Sequence, residues 1–311
     1  MSEPVRKIIN QPVELAEIQD YGITIFMKRE DQTHPVISGN KYRKLKYNLF
    51  EASNQNKDTL ITFGGAYSNH ISAAAFAGKK VGFKTIGVIR GDELGEYLDK
   101  TLVENSTLQF AAEQGMQFKF VTRSEYRFKH TKEFIDKLHK EFGDFYLVPE
   151  GGTNELAVKG CEEILKPGDE QFDIITSAIG TGGTISGLIN SAKANQKVLG
   201  FPALKENFLH KEIEKYTIQN DNWSLIRDYN FGGFGKVNKE LINFINSFKE
   251  ETGIPLDPIY TGKMMFGIVD LIKKGFFKEG TKILAIHTGG LQGIDGMNSR
   301  LQKKEMPLII K

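Results

Sequence analysis

Several features that define whole classes of protein are scarce or missing in this chain. Its only cysteine is Cys161, so neither an internal disulfide nor a cysteine metal cluster can form, and a reducing cytoplasm is the expected location. No apolar run approaches the roughly 18 residues that a membrane helix needs, and the first residues show no signal-peptide core. We therefore expect no membrane partner.

Strong charge of one sign is also absent. Lysine and arginine total 41 against 39 acidic residues, a net charge of +2, and the basic residues do not form one cluster. Such a balance gives no field that would attract nucleic acid. The 6 histidines show no spacing typical of a helical metal site, and there is no serine-hydrolase elbow. The sequence thus predicts neither a nucleic-acid partner nor a metal.

The lone cysteine falls in a predicted helix. Cys161 shares the apolar face of that helix with Ala157 and Leu165, which predicts a small buried side chain rather than a nucleophile. His287, at the end of a predicted buried strand, is likewise expected to be a hydrogen-bonded core residue.

What is present indicates an α/β protein of about two domains. The 311 residues are 40% hydrophobic and 26% charged, an ordinary globular balance. From residue 59 onward, short apolar runs alternate with helical patterns, which predicts parallel sheets covered by helices on both faces. Strands are predicted at 59–63, 85–89, 117–122, 146–148, 174–178, 198–201 and 282–287, and helices from about 40 and at 71–77 (stopped by Gly78), 98–114, 125–141, 154–165, 185–194, 239–251 and 264–274. A break near 149–153 indicates a crossing between two sheets.

The clearest candidate binding loop is Gly180-Thr181-Gly182-Gly183-Thr184, between a predicted strand and a predicted helix. Ligands of parallel α/β sheets bind at such places. The glycines let the backbone approach a phosphate, the helix dipole favours an anion, and the threonines add hydroxyl donors. Because the loop lacks the Lys-Ser/Thr ending of a nucleotide P-loop and the full dinucleotide fingerprint, it does not name its phosphate. A plain glycine turn is the alternative.

A second loop runs from Gly64-Gly65 to Ser68-Asn69-His70, again between a strand and a helix. Ser68 is placed to cap that helix, and a helix N-terminus with free N–H groups is also a suitable seat for a carboxylate. Taken alone, capping is the favoured interpretation of Ser68 and Asn69.

A third loop, Ser38-Gly39-Asn40-Lys41, precedes a helix that is predicted to begin near Asn40. Lys41 then lies in the first turn, where the helix dipole disfavours a cation. Such a position can favour a neutral, reactive amine. The alternative is an ordinary solvated lysine.

These loops belong to a longer series of motifs. In order, the chain carries Lys28-Arg29-Glu30-Asp31, Gly39-Asn40-Lys41 to Leu45, Gly64-Gly65 with Ser68-Asn69-His70, Asp257-Pro258-Ile259-Tyr260, and His287-Thr288-Gly289-Gly290. Over nearly the whole chain, this series resembles the pyridoxal 5′-phosphate family that contains 1-aminocyclopropane-1-carboxylate deaminase and D-cysteine desulfhydrase. The glycine loop alone is shared with the wider tryptophan synthase β-like group.

The resemblance implies a fold and a cofactor. The expected fold is the two-domain α/β architecture called fold type II, each domain a mostly parallel sheet flanked by helices. Residues 1–52 and 153–311 would form a large cofactor-binding domain and residues 53–152 a small domain. Lys41 would carry pyridoxal phosphate covalently, Asn69 would hydrogen-bond the ring hydroxyl, and Thr288 would neighbour the pyridine nitrogen. The loop of Gly180, Thr181, Gly182, Gly183 and Thr184 would hold the phosphate.

The resemblance also implies substrate contacts. The substrate would be a small amino acid whose carboxylate is received by Ser68 and the N–H groups after it, with Asn69 and His70 beside it. Lys41 would move the α-proton, and Tyr260 would transfer a proton or position the substrate. Ser68 and Tyr260 therefore join Lys41 as candidate catalytic residues. The family resemblance further implies a homodimer.

Four positions favour the desulfhydrase branch of the family. The deaminase pattern has glutamate, leucine, glutamine and a second tyrosine where this chain has Thr261, Thr288, His70 and Ala285. The expected reaction is therefore β-elimination of D-cysteine to pyruvate, ammonia and sulfide. Residues 71–73, Phe231 and Phe234 depart from the desulfhydrase pattern. The deaminase activity is the first alternative; a phosphate-binding protein without covalent catalysis and an inactive scaffold are further ones.

Overall fold

The computed structural model describes residues 7–204, 209–218 and 221–311. The first six residues of the predicted large domain lie outside them. Within these ranges the strands are β1 Asn10–Val13, β2 Thr24–Lys28, β3 Thr59–Gly65, β4 Lys84–Arg90, β5 Gln117–Val121, β6 Tyr146–Val148, β7 Ile174–Ile179, β8 Lys197–Pro202, β9 Trp223–Leu225 and β10 Lys282–Ile286.

The α-helices of the same ranges are α1 Asn40–Asn54, α2 Asn69–Val81, α3 Glu93–Glu96, α4 Leu98–Glu104, α5 Ser106–Glu113, α6 Arg123–Tyr126, α7 Lys132–Phe142, α8 Glu155–Glu162, α9 Gly183–Ser191, α10 Leu209–Glu214, α11 Lys239–Thr252, α12 Thr261–Lys273 and α13 Gly293–Gln302. In the described part of the chain, no helix is both long and apolar enough to cross a membrane.

The strands form two sheets. One has six strands in the order β1-β2-β10-β7-β8-β9, and the other has four in the order β5-β4-β3-β6. Apart from the antiparallel pair β1–β2, neighbouring strands are parallel. Parallel strands need crossover connections, which the helices between them provide. The predicted fold class, two mostly parallel sheets flanked by helices, is confirmed.

Helix α1 touches both halves of the molecule. Its Tyr42, Leu45 and Leu49 are buried in the same apolar cluster as Leu60 of β3 and Ile71 of α2. On another side α1 packs against α8, so closely that a Cβ on Gly160 would lie 2.0 Å from the carbonyl oxygen of Arg43. The boundaries 52/53 and 152/153 between a large and a small domain stay a prediction.

Three helix predictions were wrong in detail. Gly78 does not end α2 but lies inside the helix. A Cβ at this position would be 2.2 Å from Cγ2 of Thr85, so the glycine permits close packing of α2 on β4. The left-handed residue that ends α2 is Gly82, with φ of +86°. The predicted helix 98–114 is two helices separated at Asn105, whose side chain caps α5 by accepting from the Leu108 N–H.

The predicted helix 125–141 is likewise two, α6 and α7, and Thr131 caps the second by accepting from the N–H of Phe134. The strands β1, β2 and β9 and the helices α3, α10 and α13 were not predicted. β2 did carry a signal, since Ile25 and Met27 alternate as buried residues.

Candidate active site

The loops singled out in the sequence meet at the carboxyl ends of β3, β7 and β10. The Asn40 side chain donates to Oγ1 of Thr184 over 2.9 Å, and the Asn40 N–H donates to the carbonyl of Thr288 over 3.2 Å. On Gly290, a Cβ would lie 3.0 Å from Nδ2 of Asn69. The N-termini of α1, α2 and α9 therefore surround one space.

The turn before α1 depends on a glycine. Gly39 has φ of +65°, and a Cβ there would lie 2.0 Å from the carbonyl oxygen of Thr288. Any other residue would push α1 away from the loop after β10. This close approach places Lys41 beside that loop.

Lys41 is a partly buried amine in the first turn of α1. Its Nζ donates to Oδ1 of Asn40 over 2.8 Å. Burial, followed by the nearby ammonium of Lys44, lowers the pKa of Lys41 from 10.5 to about 7. A solvated surface lysine would not show this shift. The structure therefore presents an amine that is neutral in a large fraction of molecules at neutral pH.

We predict that Lys41 becomes reactive at lower pH than surface lysines. The neutral fraction rises as the pH rises through a pKa of about 7, whereas ordinary lysines, with pKa near 10.4, are still almost entirely charged there. In cofactor-free protein, the rate of Lys41 acetylation by acetic anhydride, measured by peptide mass spectrometry, should level off above about pH 8. Lys197, an exposed lysine, is the internal control. A Lys41 profile that tracks Lys197 would contradict the prediction.

A second lysine of α1 lies against the glycine loop. Lys44 is 3% exposed. Its Nζ donates to the Gly151 carbonyl (3.1 Å) and to the hydroxyls of Thr153 (2.9 Å) and Thr181 (3.4 Å). Burial lowers its pKa to about 8. Among the described ion pairs, none joins Lys44 to a carboxylate. The only sequence feature that could have pointed to this contact is the position of Lys44 one helical turn after Lys41.

The glycine loop opens α9 without a side-chain cap. Gly182 has φ of +89°. A Cβ on Gly183 would lie 2.8 Å from Oγ1 of Thr153 and 3.3 Å from Nζ of Lys44. Free helix N–H groups, threonine hydroxyls and an ammonium without a carboxylate partner are what a phosphate dianion requires. Cys161, below this loop, is fully buried as predicted, and burial raises the pKa of its thiol to about 11.

The loop after β3 differs from its simplest interpretation. Ser68 is at the N-cap position of α2, but its side chain makes no capping hydrogen bond. The Ser68 hydroxyl is therefore not engaged in capping α2. Asn69 begins the helix, and its side-chain amide faces Gly290 and Gly293 of the loop after β10. The expectation that Ser68 serves as a cap was wrong, while its place at the mouth of α2 suits a carboxylate.

His70 points into the interior. It is 1% exposed, and its Nε2 lies 2.7 Å from Oγ1 of Thr62. Because the Thr62 hydroxyl donates to the carbonyl of Val148, the His70 Nε2–H must be the donor. Its Nδ1 has no hydrogen-bond partner in the described part of the chain. Burial and then the two lysines hold the pKa of His70 well below its usual range, so the ring is neutral.

Tyr260 immediately precedes α12, with its ring against the glycine loop. A Cβ on Gly180 would lie 3.3 Å from Cε1 of Tyr260. Asp257 orients this tyrosine because its Oδ2 accepts from the N–H groups of Ile259 and Tyr260, both over 2.9 Å. Burial is the main reason that the pKa of Tyr260 is raised, so the phenol keeps its proton.

The loop after β10 is held by its backbone and by a histidine. His287 is fully buried; its Nδ1 accepts from the Gly289 N–H and its Nε2 lies 2.7 Å from the Pro255 carbonyl. The expectation of a hydrogen-bonded core histidine is confirmed. Thr288 is 8% exposed, and its carbonyl receives the N-terminus of α1. A contact between its hydroxyl and a pyridine nitrogen stays a prediction.

The comparisons with known proteins agree with this geometry. A family model described as pyridoxal-phosphate dependent enzyme matches residues 6–289. The chain belongs to the pyridoxal-phosphate-dependent enzymes. It is 30% identical over 310 residues to the 1-aminocyclopropane-1-carboxylate deaminase of Rhizobium rhizogenes, covering 88% of this chain and 89% of the relative.

Two further relatives narrow the family. An Arabidopsis thaliana protein named bifunctional D-cysteine desulfhydrase/1-aminocyclopropane-1-carboxylate deaminase, mitochondrial, is 32% identical over 299 residues, with 88% of this chain and 74% of the relative covered. A solved structure titled as an ACC deaminase homologue superposes with a TM-score of 0.79 at 28% identity, covering 97% of this chain and 96% of that one. This pyridoxal-phosphate enzyme is thus a member of the predicted family and has fold type II, and the non-enzymatic alternatives are set aside.

The residues of this pyridoxal-phosphate enzyme fit the cofactor. The glycine loop and Lys44 match a phosphate, Lys41 is an amine with a lowered pKa, and the Asn69 amide faces the loop after β10. The individual contacts to the cofactor, the homodimer and the cytoplasmic location stay predictions.

The first family motif has a structural role that the sequence did not reveal. Glu30 is fully buried and accepts two hydrogen bonds from the Arg43 guanidinium, over 3.0 and 2.9 Å. Lys28 pairs with Asp169 at 2.7 Å. Since Arg43 is two residues beyond Lys41, the motif anchors the helix that carries the reactive amine.

Proposed function

We propose that this enzyme catalyses β-elimination of D-cysteine or a closely similar small amino acid, which with uptake of water gives pyruvate, ammonia and sulfide. Bound pyridoxal phosphate supplies the electron sink for removal of the α-proton. Lys41, whose lowered pKa keeps a large fraction of it neutral at neutral pH, accepts that proton. Ser68 and the N-terminus of α2 receive the substrate carboxylate, and Tyr260, whose ring lies against Gly180, orients the substrate.

The burial of Thr261 and its hydrogen bond to Asp257 are the observations that favour β-elimination over cyclopropane ring opening. Thr261 is fully buried, and its Oγ1 donates to Oδ1 of Asp257 over 2.7 Å. Asp257 accepts four hydrogen bonds from its own loop and helix, so its carboxylate is fully occupied. Ring opening of a cyclopropane, which offers no ordinary α-proton, needs an additional acid or base at this place. β-Elimination requires a base for the α-proton, which Lys41 supplies, and a good leaving group such as thiolate.

The deaminase activity is the second candidate. It is supported by the name of the R. rhizogenes relative and by the double name of the A. thaliana relative. Both activities take a small amino acid, and both need Lys41 and the phosphate loop.

A side-by-side assay separates the two activities. Pyruvate and sulfide release by the purified, cofactor-loaded enzyme should be strongest from D-cysteine, with kcat/KM at least about tenfold above that for L-cysteine. D-Serine tests the leaving group, because hydroxide leaves less readily than thiolate. 2-Oxobutyrate release from 1-aminocyclopropane-1-carboxylate tests the deaminase. Preferential turnover of the cyclopropane amino acid would overturn the elimination proposal and leave the deaminase.

A further inference from the structure

The loop before α11 has an unusual backbone and lies next to the site. Four of its residues have left-handed φ: Phe231 (+53°), Gly232 (+92°), Gly233 (+115°) and Gly235 (+64°). A non-glycine residue at positive φ costs free energy, so other contacts must hold it there. Such strain at the edge of a site calls for a physical reason.

The loop is fastened from below by α12. Lys263, 2% exposed, donates to the carbonyls of Asn230 (2.8 Å) and Gly233 (2.9 Å). The strained Phe231 packs edge-on against Phe266 of the same helix, with ring centroids 5.0 Å apart. α12 also begins directly after Tyr260. The loop and Tyr260 are therefore positioned by one rigid element.

The consequence is the placement of Phe234. Its ring stands edge-on to the Tyr260 ring, with centroids 6.1 Å apart at 65°, and Tyr260 in turn lies against Gly180. Phe234 is nevertheless 51% exposed. A large apolar ring left half in water, on a loop held in a strained conformation, gains contact when a ligand covers it.

We propose that Phe234 is a specificity-determining residue that forms the wall of the pocket for the substrate side chain and restricts it to short, uncharged groups. This inference rests on the proposed function in one respect only, that the site takes an amino acid. A longer side chain meets the Phe234 ring, and a charged one loses water against two aromatic rings without gaining an ionic partner. The ammonium of Lys263 beneath the loop is not free for it, since two carbonyls occupy it.

A binding series tests the wall without relying on turnover. The cofactor-loaded enzyme is titrated with alanine, 2-aminobutyrate and norvaline, each as D and L forms, and the change in cofactor absorbance gives the affinity. Affinity of the wild type should fall by about tenfold or more with each methylene beyond alanine, as expected for a closed apolar pocket. In Phe234→Ala, the fall between alanine and norvaline should shrink to less than about threefold, with Phe234→Leu in between.

Phe276→Ala is the matched control. Phe276 is also 51% exposed, but it follows the far end of α12, away from Tyr260. It should keep the wild-type chain-length profile. An unchanged profile in Phe234→Ala, or a wild type that responds to none of the amino acids, overturns the inference. If the fall in affinity with chain length shrinks in Phe234→Ala but D-cysteine yields no pyruvate, the role of Phe234 is supported and the proposed elimination is rejected. The two failures are therefore distinguishable.

Discussion

Replacing Lys41 by alanine is expected to abolish turnover, with kcat/KM reduced on the order of 10³-fold or more, and to prevent covalent attachment of pyridoxal phosphate. Lys41 is the amine whose pKa is lowered to about 7 and that lies beside the loop after β10. Lys44 cannot replace this nucleophilic amine, because its ammonium is hydrogen-bonded to Gly151, Thr153 and Thr181. Pyruvate release measures the loss of activity, and the absorbance of the purified protein measures the loss of attachment.

Lys44→Gln is the matched control for that experiment. The Lys44 ammonium is held by Gly151, Thr153 and Thr181, so we place it at the cofactor phosphate and not at its carbonyl. This variant should keep attachment at Lys41 but require more cofactor for saturation, because one charge-assisted hydrogen bond to the phosphate is lost. Borohydride reduction followed by peptide mapping identifies the modified lysine. A modified Lys44 in the Lys41→Ala protein would reject the assignment.

The second large effect is expected from Glu30→Gln. Glu30 is fully buried, and its carboxylate accepts both hydrogen bonds of the Arg43 guanidinium. Removing its charge leaves a buried cation whose other carboxylate, Glu163, is 3.6 Å away. Breaking a buried ion pair from one side costs about 3–5 kcal/mol. The free energy of unfolding, measured with urea, should fall by that amount.

An exposed ion pair provides the comparison. Asp136→Asn removes the surface pair with Lys132, four residues earlier in α7, and should leave the urea midpoint almost unchanged, because exposed pairs contribute little. Since Arg43 belongs to the helix of Lys41, Glu30→Gln should also raise the cofactor concentration needed for saturation. Equal, small effects of the two substitutions would show that the first motif does not anchor α1.

The sequence predicted well those parts of the fold that depend on local signals. The apolar runs at residues 146–148 and 174–178 became β6 and β7, and the glycine loop between β7 and α9 was located from its composition alone. Such segments can be recognised from the sequence, because a strand buried on both faces requires continuous apolar residues and a turn with positive φ favours glycine. The same local signals misjudged Gly78, whose role is to let α2 approach Thr85.

The break at Asn105 shows a related limit. Residues 98–114 are rich in helix formers, so propensity predicted one helix, whereas the Asn105 side chain caps a second one. Propensity contributes only a fraction of a kcal/mol per residue, and capping together with packing overrides it.

By itself, the sequence determined the alternation of strands and helices, the loops at the strand ends and the presence of a lysine beside them, because these features follow from residues that are neighbours in the chain. The tertiary structure decided which distant groups meet. It brought Lys44 to Thr181 across 137 residues and Phe234 to the ring of Tyr260. The lowered pKa of Lys41 belongs to the same class, because it arises from burial by several elements at once.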